Sequence, residues 1–137
     1  MRLMGIDFGD ARVGIALSYP LGIMAQGYGT LKNDGGDHLF EEIASIIKEK
    51  EVTKIVIGLP KNMDGTEGFR SDATKEFADK LRTFTEAEIT FFDERLTTVS
   101  AHGFLSEMNV RGKKRKGAVD TLSAALILET YMRKNGF

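Results

Sequence analysis

Cysteine is absent from the 137 residues, which excludes disulfides and any thiolate metal centre. Histidine is scarce: His38 and His102 fall in segments with helical patterning and read as surface or internally satisfied residues. No Ser, His and Asp stand at the spacing of a nucleophile triad. No apolar run is long enough to cross a bilayer. The first residues lack the basic, then apolar, then small-residue pattern of a secretory leader. The expected location is therefore cytoplasmic, with no membrane partner. A strong charge bias is missing as well. Nineteen basic and 20 acidic residues leave a net charge of −1, which argues against a surface coated in nucleic acid but leaves room for a local basic patch.

What remains is ordinary for a globular protein: 42% hydrophobic and 28% charged residues. The length suits one domain, residues 1–137, with a proper core. The most informative stretch comes first. Met4-Gly5-Ile6-Asp7-Phe8-Gly9 is an apolar strand ending in one carboxylate, and Arg12 leads into a second strand, Val13-Gly14-Ile15-Ala16-Leu17. A carboxylate at the end of a buried strand is costly unless its charge is offset. A divalent cation, which prefers oxygen ligands, is the usual partner. The flanking glycines allow close approach of a ligand or another backbone.

Residues 2–8 and 13–19 are predicted to form a hairpin, with 27–32 a weaker third strand at an edge. The turn-rich Asn33–Asp37 cluster opens a helix in which Leu39, Phe40, Ile43, Ile46 and Ile47 share one face, ending near Glu49. Lys54–Leu59 reads as a central strand of a parallel sheet, stopped by Pro60 and followed by a loop over Asn62–Gly65. A second helix is expected over 67–83 with Phe69, Ala73, Phe77 and Leu81 on one face. A fifth strand, Ile89–Phe92, runs into Asp93-Glu94-Arg95. A third helix, capped by Thr97 or Thr98, runs to about Glu107. A basic loop follows, and a last helix spans about Ala118–Arg133 with Val119, Leu122, Leu126 and Tyr131 as its apolar contacts. The order is three strands, helix, strand, helix, strand, helix, helix. Its strand-helix-strand crossovers require parallel pairing.

Three carboxylates can meet at the carboxyl edge of such a sheet: Asp7 after the first strand, Glu94 after the fifth, and Asp120 at the start of the last helix. Together they could hold two Mg²⁺ or Mn²⁺ ions about 3.5–4 Å apart, an arrangement suited to in-line attack of water on a phosphodiester. Each also has a plainer reading. Asp7 could be a turn residue, and Asp120 a first-turn residue favoured by the helix dipole. Asp93 and Glu94 point to opposite faces while the strand continues, so at most one enters a site; Glu94 is preferred and Asp93 is the fallback. Asp64 reads as the acceptor of a glycine turn or as the rim of a substrate groove. Arg12 and Arg95 could each hold a phosphate or be surface residues. Arg111, Lys113, Lys114, Arg115 and Lys116, between Gly112 and Gly117, form either a solvated loop or a contact to a phosphate backbone, whose counterions such residues release.

These motifs, Gly5–Gly9, Arg12–Ala16, Gly58-Leu59-Pro60, Asn62–Gly65, Asp93–Thr98, Lys116-Gly117, Asp120 and Ala124-Ala125, occur in an order that resembles the YqgF family over essentially the whole chain. That family is also described as RuvX, as a Holliday junction resolvase and as a pre-16S rRNA nuclease. The resemblance implies an α/β, ribonuclease H-like fold: a five-stranded mixed sheet with helices on both faces. It also implies a carboxylate site for divalent metal, with Asp7, Glu94 and Asp120 at the family's acidic positions. Related junction resolvases carry an acidic residue at the end of their fourth strand. Here Gly58-Leu59-Pro60 stands there, so Glu94 would substitute from the neighbouring strand. The expected function is a metal-dependent nuclease on structured RNA, in 5′-end maturation of 16S rRNA. One alternative is resolution of DNA four-way junctions, whose two symmetric cuts usually require a dimer; a monomer or a homodimer is expected. A sugar-kinase or actin-like ATPase would clamp ATP between two related domains, and this chain has the length of one. A nucleic-acid-binding module without catalysis is the remaining alternative.

Overall fold

Period-two alternation and tight turns set five strands side by side. The computed structural model describes residues 2–19, 25–60, 68–93 and 112–135, with side chains of the last stretch from Thr121 onward. Its elements are β1 (Arg2–Phe8), β2 (Arg12–Ser18), β3 (Ala25–Lys32), α1 (Asp37–Glu49), β4 (Val52–Leu59), α2 (Phe69–Leu81), β5 (Glu88–Asp93) and α3 (Gly112–Lys134). The sheet order is β3-β2-β1-β4-β5. β1 and β2 form the expected antiparallel hairpin, β3 is an edge strand, and β4 pairs in parallel with both β1 and β5.

The two faces of the sheet are separate cores. Met4, Ile6, Val13, Ile15, Leu17, Ile55 and Ile57 bury against the apolar stripes of α1 and α2. All five residues expected on the inner face of α1 are buried there. Rings extend this core toward the carboxyl edge, with Phe8 stacked on Phe77 at 4.5 Å between centroids. The alternate positions Leu3 and Val56 face α3 through Ile127, Leu128, Tyr131 and Met132. Ala16 meets Ala124 and Ala125. Helices thus cover both faces, as a mixed sheet buried on two sides requires.

Three expectations change. From Gly112 onward the basic run is helix rather than loop, because α3 already begins there. Lys and Arg are good helix formers, and the single internal glycine, Gly117, costs only about 1 kcal/mol relative to Ala. Asp120 consequently lies well inside the helix, whose first turn holds no acidic residue, so the dipole explanation for it lapses. On α2, Phe69 is 85% exposed, and the buried residues are Ser71, Thr74, Phe77, Ala78 and Leu81. The polar members are satisfied locally: Ser71 donates to the Pro60 carbonyl and Thr74 Oγ1 donates to the Arg70 carbonyl at 2.9 Å. On α3, Leu122 and Leu126 are half-buried, whereas Ala124, Ile127, Leu128 and Met132 are fully enclosed. Tyr131 is buried as expected. The helix expected over Thr97–Glu107, the Asn62–Gly65 loop and His102 lie outside the described residues. His38 is a surface residue on α1 and pairs with Glu42.

Candidate functional site

The carboxyl end of β1 sets the site. Asp7 alternates with Leu3 and Gly5, so it belongs to the α3 face of the sheet. The register places Gly14 of β2 directly beside it. On the other side, Ile6 pairs with Ile57 and the next residue of β4 is Gly58. Gly14 pairs in turn with Thr30, and Gly58 with Phe92. One row therefore crosses the sheet as Thr30, Gly14, Asp7, Gly58 and Phe92. The carboxylate stands between two positions without side chains, with neighbouring strands about 4.8 Å away on each side. The glycines are visible in the sequence; the register that brings them to either side of Asp7 is not.

α3 is seated unusually close to this face. A Cβ on Gly5 would lie 2.6 Å from the Ala124 carbonyl oxygen and 2.9 Å from Leu128 Cβ. A Cβ on Gly27 would lie 2.0 Å from Thr121 Cγ2. Thr121 Oγ1 also meets Thr30 Oγ1 at 3.2 Å, at one end of the Asp7 row. Moving along β1 from Leu3 through Gly5 toward Asp7 thus runs backward along α3, from Leu128 to Ala124. Residue 120 is one turn before Ala124 on this helix. The backbone at Asp120 is accordingly on the side of Ala124 toward the Asp7 end of the sheet; its side chain lies outside the described residues.

Ser123, next to Ala124, is fully buried, and its Oγ has no hydrogen-bond partner among the described residues. A buried unpaired hydroxyl costs about 1–3 kcal/mol. Ser123→Ala is expected to raise the unfolding free energy by about 1 kcal/mol, read by urea denaturation. A loss of that size would show that the hydroxyl is bonded in solution.

Asp93 ends β5 opposite Leu59. Ile89 and Phe91, with which it alternates, pack into the α1–α2 core, whereas Phe92 packs toward Tyr131 of α3. Asp93 therefore belongs to the face away from Asp7. Glu94, Arg95 and Arg111 lie outside the described residues, and Lys113, Lys114, Arg115 and Lys116 are described in backbone only, within α3. Arg12 alternates with Val13 and shares the Asp7 face at the start of β2. The turn between Asp7 and Arg12 is pinned. Gly9 N–H donates to the Arg12 carbonyl at 2.9 Å, Asn33 Nδ2 donates to the Gly9 carbonyl at 2.8 Å, and Asn33 N–H donates to the Ala11 carbonyl at 2.9 Å.

Among the described residues, no group of three acidic or histidine side chains is gathered at one point. The donor chemistry nevertheless fits a hard divalent cation. Asp7 offers carboxylate oxygens, the ligands such a cation prefers, on a sheet face cleared by Gly14 and Gly58.

A model of the RuvX family, described as Holliday junction resolvases, matches residues 1–134. A protein of Ruminiclostridium cellulolyticum named "Putative pre-16S rRNA nuclease" is 47% identical over 133 residues, covering 96% of this chain and 94% of that one. A protein of the same name from Halalkalibacterium halodurans is 46% identical over 134 residues, covering 96% of each. Among solved structures, T. thermophilus RuvC in complex with a Holliday junction substrate superposes with a TM-score of 0.63 at 11% identity, over 98% of this chain and 96% of that one. Fowlpox virus resolvase with Holliday junction DNA gives 0.56 at 10% identity, over 98% and 99%. At these identities the likeness concerns the fold, which is ribonuclease H-like.

Proposed function

Because the chain belongs to the RuvX family of Holliday junction resolvases, we propose that this nuclease hydrolyses phosphodiester bonds in structured RNA, at the 5′ end of pre-16S rRNA. The observation that carries the site assignment is the glycine-flanked Asp7 on the face closed by α3. Asp7, Glu94 and Asp120 are the residues that would hold one or two Mg²⁺ or Mn²⁺ ions. Such ions neutralise charge building on the phosphate and lower the pKa of water. Asp7 presents its carboxylate from a rigid central strand. The near-contact of α3 with Gly5 fixes the distance between that strand and the helix carrying Asp120. Glu94 follows directly on Asp93, and the strand alternation that turns Asp93 away supports Glu94 as the third ligand. Arg12, Arg95, Arg111, Lys113, Lys114, Arg115 and Lys116 would grip the phosphate backbone, the sequence-independent part of affinity.

The relatives' name supports RNA as substrate, and the family description supports a DNA junction. A cleavage assay in Mn²⁺ or Mg²⁺ decides between them by offering a 16S rRNA precursor fragment and a DNA four-way junction side by side. The expected result is a cut at the RNA 5′ flank with the junction left intact. Paired symmetric cuts in the junction would transfer the assignment to resolution. Binding without metal-dependent cleavage of either would leave a non-catalytic module.

A further inference from the structure

The edge strand β3 brings a second basic group to the Asp7 face. Lys32, the last residue of β3, pairs in register with Arg12. Both stand on the α3 face, since the intervening Leu31 and Val13 pack into the opposite core while Thr30 touches Thr121. Like charges set directly opposite each other across strands are destabilising. Lys32 is exposed, so an anion approaching the pair from solvent would relieve that repulsion.

The geometry is specific about what could offset it. β3 runs parallel to β1, so Lys32 and Asp7 lie toward the same end of the sheet. Counted in strand spacings and residue rises, Arg12 is about 8 Å and Lys32 about 12 Å from Asp7. Two neighbouring strands, β2 and β3, therefore deliver positive charge to one margin of the site. A polyanion crossing that margin would meet both.

We propose that Lys32 binds a backbone phosphate of the substrate RNA, so that the β2–β3 ribbon carries the strand leading away from the cleavage point. The proposal rests on the nuclease reading above. The plainer role for a lysine on an edge strand is to block edge-to-edge pairing, which would be insensitive to RNA.

Fluorescence anisotropy of a labelled 16S precursor fragment, with EDTA present to prevent cutting, separates these roles. Lys32→Glu is expected to weaken binding about tenfold at 0.1 M salt, and Lys32→Ala to reduce the slope of log affinity against log salt by about one. Lys48→Glu, the same charge change in the last turn of α1 on the other face, serves as reference for net charge. Unfolding midpoints report whether each variant is folded. If Lys32→Glu binds no more weakly than Lys48→Glu, the proposal is overturned while the nuclease reading stands. If the wild-type protein fails to bind the RNA, the RNA reading falls and Lys32 falls with it.

Discussion

Asp7→Asn is expected to lower metal-dependent cleavage about a thousandfold or more in turnover, which is about 4 kcal/mol of transition-state stabilisation. The amide has the carboxylate's shape but none of its charge. It would sit in the same gap between Gly14 and Gly58, so packing is undisturbed and the unfolding midpoint should stay within a few degrees. What is lost is the anionic oxygen that a hard cation needs. Asp93→Asn is the matched control: the same chemistry on the same sheet edge, but on the face of Ile89 and Phe91 rather than of α3. It should retain most of the activity. The pair of variants is measured with the precursor RNA under saturating Mn²⁺. Comparable loss in both would mean that the face assignment is wrong, and full activity in Asp7→Asn would remove the carboxylate site altogether.

How much of this was legible beforehand depends on which physical signal each element carries. α1 announces itself, because Leu39, Phe40, Ile43, Ile46 and Ile47 are all large, apolar and buried. α2 hides its inner face, because Ser71, Thr74 and Ala78 do much of the packing and hydrophobic periodicity counts none of the hydroxyls. The eye is drawn instead to Phe69, which faces solvent. The start of α3 is hidden because Gly112 and Gly117 look like breaks, whereas a glycine inside a helix costs only about 1 kcal/mol. The difference bears on function: a helix beginning at Gly112 removes the first-turn explanation of Asp120. Asp7 was identifiable from its flanking glycines, but the glycines that clear its surroundings are Gly14 and Gly58. Register alone reveals that, since residues from three strands must be aligned before they become neighbours. Lys32 carries no signal in the sequence for the same reason, being ordinary until it is set opposite Arg12.

Gly5→Ala should be the most damaging single methyl in the described part of the chain. The added carbon would sit 2.6 Å from the Ala124 carbonyl oxygen and 2.9 Å from Leu128 Cβ. The first of these is helix backbone, which cannot rotate away as a side chain could. α3 must therefore lift or slide, and overpacking of that kind costs about 3 kcal/mol, a fall in midpoint of roughly 10 °C for a domain of this size. Gly29→Ala gives the comparison. It lies in the neighbourhood of the α3 contact on β3 yet meets nothing within 4 Å, so its effect should stay within about 1 kcal/mol. The consequence for activity is what ties packing to chemistry. The surface that α3 loses at Gly5 is one turn from residue 120, and in the proposed site Asp120 would meet Asp7 only with the helix this close. Displacing ligands by about 1 Å costs about a hundredfold in rate. Cleavage by Gly5→Ala, assayed well below its midpoint where the protein is folded, should therefore fall about a hundredfold while RNA binding in EDTA changes little. A variant that is destabilised but cleaves normally once folded would show that the seat of α3 supports the fold without setting the site.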